Sequence, residues 1–191
     1  MPINVCGMRN KVPDEVYLVE TTSRSKNWSK GLSPFICGPC ELYDGHTSLN
    51  MENAWQFSKV YADHVDANDN PTPAYFEWAK VGWADAYAHR YPMGKGKKPL
   101  YSWWAGEKLG YVEARKRIYA PLYAESVVRG SAFKKLKELY DNGLNIWLRD
   151  FDGYNFRELG MTYQEVIDNP DRKMGHAFVL AMILENQRVW E

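Results

Sequence analysis

The sequence predicts an α+β fold, helix-rich with a few short strands, organised as a single domain over residues 1–191. Two alternating segments, EVYLVE (15–20) and NIWLRDFDGYN (145–155), carry the period of two expected of strands. Longer segments place apolar residues at helical spacing, and the closing one, AFVLAMIL, is apolar nearly all round. No repeat, low-complexity tract or linker interrupts the chain, and 191 residues suffice for one sizeable core.

Taken in order, residues 15–20 read as a strand and 35–45 as extended chain ending in an Asp44-Gly45 turn. A first helix is expected over 50–61, with Asn50 as N-cap and Met51, Ala54, Trp55 and Ser58 on its inner stripe. The polar, turn-rich loop 62–73 leads to a second helix, 74–88, which should bury Phe76, Ala79, Trp83 and Tyr87. A basic loop with glycines and flanking aromatics (89–104) precedes a long helix, 106–129, that Pro121 should bend or break. The helix 131–142 presents Phe133, Leu136, Leu139 and Tyr140 on one face and ends at Gly143. After the 145–155 strand, Thr162 and Glu165 form a capping box for a short helix that Asn169-Pro170 stops. A central helix, 175–188, closes the chain.

Lys plus Arg balances Asp plus Glu at 24 each, so bulk charge argues for neither a nucleic-acid nor a membrane partner and leaves room only for a local basic patch. No stretch approaches the ~18 apolar residues of a membrane span. Three cysteines and a start without an apolar run point to a reducing, cytoplasmic setting. Eight Trp and thirteen Tyr supply core packing and, equally, walls for a flat ligand.

Two local patterns invite other chemistry. Cys37-Gly38-Pro39-Cys40 is a redox tetrapeptide, but the next residues, ELYDGHT, read as strand and turn, not the helix that would lower a thiol pKa; buried or surface thiols are the alternative. Asp66, Asn68, Asn70 and Glu77 stand at calcium-loop positions 1, 3, 5 and 12, yet Pro71 occupies the position that needs a positive φ. The four histidines, His46, His64, His89 and His176, lack metal-site spacing and read as scattered imidazoles.

Glu52, Gln56 and Lys59 fall at i, i+4 and i+7, a polar stripe opposite Met51, Ala54 and Trp55; by itself such a stripe is more often a solvated helix face. The segment 32–61, with Leu32, Ser33, Phe35, Gly45, Glu52, Gln56 and Lys59, resembles the opening signature of the NADAR family of N-glycosidases. The likeness continues in order through Arg90, Lys98-Pro99-Leu100 and Trp103-Trp104, the helices after residue 113, the late strand with its Asp-Gly turn, and the Gly-led apolar helix, covering about 32–188. The chain differs from the family pattern at Asp150-Phe151-Asp152-Gly153 and Arg172-Lys173-Met174-Gly175, and its loops 62–73 and 154–170 are longer.

The resemblance implies cleavage, or transfer, of a ribosyl N-glycosidic bond in a small nucleotide-like substrate or an ADP-ribosylated base, free or in nucleic acid. The alternative is a non-catalytic protein that sequesters such a ligand. Glu52 is the expected catalytic carboxylate, stabilising an oxocarbenium-like state or activating water. Asp152, with Asp150 beside it, is the candidate second acid, against the plain reading of a turn residue. Asn50, Gln56, Lys59, Arg90, Lys98, Trp104, Asp150 and Gly175 complete the expected substrate-binding set. The GKGKK loop (94–98) could cradle phosphate or be a solvated loop, and Gly175 could present helix-start amides or allow close packing. No metal and no cofactor is expected. If these residues form a site, they must converge on one concave pocket, with the first helix turning Met51 and Ala54 to the core and Glu52 and Gln56 to the cleft.

Overall fold

The computed structural model describes residues 1–191. Strands β1 (Asn4–Cys6), β2 (Tyr17–Glu20) and β8 (Ile146–Arg149) form a parallel sheet in the order β1-β8-β2. β8 pairs with both neighbours and buries alternate residues, Ile146 and Leu148. The minimal antiparallel pair β3 (Cys40–Glu41) and β4 (Thr47–Ser48) is closed by the Asp44-Gly45 turn, whose two residues both have positive φ, 51° and 75°, as a tight hairpin turn demands.

Helix α1 (Met51–Gln56) starts as expected, with the Asn50 side chain accepting from Asn53 N at 2.8 Å. It ends sooner than the periodicity suggests. Ser58 Oγ donates to Trp55 O at 2.7 Å, and the chain leaves into strand β5 (Lys59–Val60), so Lys59 lies on a strand rather than on the helix. The competing interaction is a sheet: β5 pairs with β6 (Tyr101–Trp104), which pairs with β7 (Glu107–Leu109).

Between them α2 (Pro73–Ala84) buries Tyr75, Ala79, Gly82 and Trp83. Tyr87 lies beyond the helix and is 72% exposed, contrary to the burial expected of it. The stretch expected as a helix from 106 opens instead with β7. Helix then runs through α3 (Tyr111–Ala114), a π-helical segment (Arg115–Tyr119) and α4 (Ala120–Val127). The π turn is the answer to Pro121: Ala120 N donates five residues back to Arg115 O, widening the helix where the proline ring would crowd the carbonyl four residues before it.

α5 (Ser131–Asp141) ends at Gly143, φ 79°. α6 (Tyr163–Asp168) carries both halves of the Thr162–Glu165 capping box. α7 (His176–Leu184) runs through the main core, packing on α4, β1 and β8 with Ala177 to Met182 wholly buried. A smaller cluster, Phe57, Val60, Tyr75, Ala79 and Trp83, joins α2 to the β5-β6-β7 sheet. No helix is long and apolar enough to cross a membrane.

Candidate functional site

The C-terminal ends of β2 and β8, helix α1, the π segment and the start of α7 surround a cleft of about 800 Å³. Glu52, Gln56, Lys59, Arg90, Lys98, Asp150, Asp152 and Gly175 all line it, together with the glycines and Lys97 of the 94–98 loop. Two expected members do not. Asn50 is buried and serves as the α1 cap, its amide donating to Asp85 O and Ala86 O at 3.4 Å each. Trp104 packs against the main core, with its ring 5.1 Å from that of Tyr43.

All six residues of α1 are buried, yet its two faces differ. Met51 and Ala54 join the core, while Glu52 and Gln56 border the cleft. Gln56 Nε2 donates to Glu52 Oε1 at 3.0 Å, and Lys59 Nζ donates to Gln56 Oε1 at 2.9 Å. The amide thus transmits the lysine's charge to the carboxylate. Burial pushes the Glu52 carboxyl above its ordinary value, opposed by the Gln56 hydrogen bond and by Lys59, Arg90 and His176. Burial lowers Lys59 to about 8, opposed chiefly by Glu52.

Asp150 has a different job. Its carboxylate Oδ2 lies 3.1 Å from His176 Nδ1 and accepts Ala177 N–H at 3.2 Å. His176 Nε2 meets Thr21 O at 2.9 Å. Both ring nitrogens face acceptors, so the ring is held as the imidazolium, a buried ion pair that ties β2, β8 and α7 together. Burial acts against the charge on each partner. The pairing outweighs it, so Asp150 sits below its ordinary value and His176 above. Gly175 is required by that contact: a Cβ there would overlap the Asp150 carboxylate. Asp152 is freer, half-buried and 4.0 Å from Arg90 Nη2.

The outer wall is the irregular segment 85–99. Its root is fixed by Asn53, which donates to Gly82 O (3.0 Å), Asp85 O (3.1 Å) and Tyr87 O (2.8 Å) and accepts His89 N–H (2.8 Å). Arg90 lies over Tyr91 and Phe151, and Arg24 covers the same Phe151 ring at 4.9 Å. Seven Lys and Arg residues line the cleft against three carboxylates, which favours an anionic ligand.

Sequence reasoning missed His176, Tyr119, Lys173 and Arg24 as cleft residues. His176 had one signal, an ionisable residue leading an otherwise apolar helix; Arg24 had none.

The redox tetrapeptide is structural. Burial raises Cys37 to about 12 and Cys40 to about 11, opposite to a reactive thiolate. Cys37 O accepts Met51 N–H at 2.8 Å, and a Cβ on Gly38 would stand 2.5 Å from Leu49 O, so the segment closes the start of α1. In the 62–73 loop, Asp66 Oδ1 accepts Asn68 N–H and Asn70 N–H, which makes it a turn residue. Comparison of the chain with protein-family models, with curated proteins and with solved structures yields no match.

Proposed function

We propose that this chain is a NADAR-like N-glycosidase that cleaves the ribosyl N-glycosidic bond of a nucleotide-like or ADP-ribosylated substrate. The observation that carries the reading is the buried Glu52 carboxylate on the wall of a nucleotide-sized cleft, hydrogen-bonded through Gln56 to Lys59, with Asp152 and the basic 94–98 loop on the same cleft. Cationic groups bind the ligand's phosphate, and aromatic rings, Trp55 among them, flank its base.

In the reaction the C–N bond breaks toward the base, which leaves with the electron pair and takes up a proton. Positive charge develops at the anomeric carbon, and the Glu52 carboxylate stabilises it. Water adds to that carbon and gives its proton to a carboxylate, Glu52 or Asp152. Lys59 and Gln56 oppose the burial that raises the Glu52 pKa, and the Gln56 hydrogen bond orients the carboxylate.

The test is a panel of ribosylated nucleobases and nucleotides, ADP-ribosylated guanosine included, with mass spectrometry for free base. Release of a base supports the enzyme. One observation favours the second reading, a ligand-sequestering protein: Asp150, engaged by His176 and Ala177 N–H, is withdrawn from proton transfer. Tight calorimetric binding with ligand mass unchanged over hours would select it.

A further inference from the structure

Tyr119 is the last residue of the π segment and lines the cleft. Its ring is fixed on two sides, 5.1 Å from Trp55 edge to face and 6.4 Å from Tyr123 in a near-parallel stack. The residue is only 8% exposed. None of the protein's hydrogen bonds uses its hydroxyl, whereas the buried neighbour Tyr123 donates its own to Leu32 O. Side chains around it are already committed: Gln56 to Glu52, Lys59 to Gln56, His176 to Asp150 and Thr21. The wide π turn forced by Pro121 is what brings residue 119 to this wall, and such turns concentrate at functional sites.

We propose that Tyr119 is a ligand-reading residue whose hydroxyl donates a hydrogen bond to an oxygen of the sugar held against Glu52, an inference that rests on the glycosidase reading. If Glu52 faces the anomeric carbon, the sugar is the part of the ligand beside it. The nearby carboxylates only accept hydrogen bonds from sugar hydroxyls, and Tyr119 supplies an uncommitted neutral donor on the same wall. It is neither a general acid nor a nucleophile. Burial first, and then the charges of Asp150, Glu52 and Asp152, disfavour a phenolate, so the group keeps its proton and works by hydrogen bonding alone.

Titration calorimetry of the wild type and Tyr119→Phe with two probes, ADP-ribose and ADP, tests this. Phenylalanine keeps the ring contacts with Trp55 and Tyr123, so the melting temperature should hold. ADP-ribose should bind roughly three- to tenfold more weakly to the variant, the effect of one neutral hydrogen bond, with ADP binding unchanged. Equal ADP-ribose affinity in the two proteins, or an equal loss for both probes, would overturn the role of Tyr119 while leaving the glycosidase reading intact. A wild type that binds neither probe would count against that reading itself, and the role of Tyr119 would fall with it.

Discussion

The two walls of the cleft are built in opposite ways. The inner wall, α1 with the Asp150–His176 pair behind it, is buried and tied together by side-chain hydrogen bonds of Glu52, Gln56, Asp150 and His176. The outer wall from Tyr91 to Pro99 has no regular structure, is exposed from Gly94 onward, and holds itself with two backbone bonds and one loose Lys97–Asp63 contact at 3.5 Å. Gly94 and Gly96 adopt φ of 100° and 87° with open space around them, so the chain there is kept pliant. Orientation of a reacting group needs the first kind of wall; admitting and covering a ligand needs the second. Asn53 joins them, since the residue after Glu52 holds the backbone from which the outer wall springs.

That contrast can be broken most severely at the inner wall. Asp150→Ala leaves the His176 imidazolium buried without its partner and should cost about 3–5 kcal/mol in denaturant unfolding. Gly175→Ala, which pushes a methyl into the same carboxylate, should cost about 1–3 kcal/mol and unseat the start of α7. A loss under roughly 0.5 kcal/mol in both would show that the pair does not organise this wall.

The pair also fixes a pH signature. His176, raised in the folded state, contributes stability fully below its ordinary value of 6.5 and loses it as pH rises through the raised value. Asp150, lowered in the folded state, contributes above its ordinary 3.8 and loses it as pH falls through the lowered value. Urea midpoints should therefore decline as pH climbs beyond 6.5, and His176→Gln should flatten that decline.

Smaller effects belong to catalysis and capture. Lys59→Met removes a cation that lowers the Glu52 pKa, so the acid limb of the activity profile should move to higher pH. In the wild type the alkaline limb should fall near 8, where Lys59 loses its proton. An unshifted acid limb would sever the Lys59–Gln56–Glu52 connection. At the outer wall, replacing both Lys97 and Lys98 by Gln should weaken ADP-ribose binding several-fold at low salt and little at high salt, with an unchanged melting temperature.

The same division governs how much of the molecule was legible in the sequence. The inner wall was readable because local rules govern it: a cap at Asn50 and four-residue spacing from Glu52 to Gln56. Lys59 was readable as a residue facing the same cleft as Glu52 but assigned to the wrong element, since pairing with β6 overrode the helical period. Trp104 was misread because the Trp103-Trp104 pair does not say what β6 packs against: Trp103 meets Phe76 and Trp104 meets Tyr43. Tyr119 and His176 were missed for a related reason. Pro121 announced a disturbance without saying that a π turn would resolve it, and the partner of His176 lies 26 residues back at Asp150.

The central claim is that Glu52 carries the chemistry, and Glu52→Gln tests it most directly. Burial raises its carboxyl pKa, so the folded chain binds that proton more tightly than the unfolded chain and loses stability as pH rises above the ordinary value of 4.5. On the substrate the panel identifies, single-turnover base release should fall by about two to four orders of magnitude. The variant's melting temperature should equal or exceed the wild type's, as the buried charge is gone while an oxygen remains to accept from Gln56. A Glu52→Gln protein that folds normally and releases base at the wild-type rate would contradict the account.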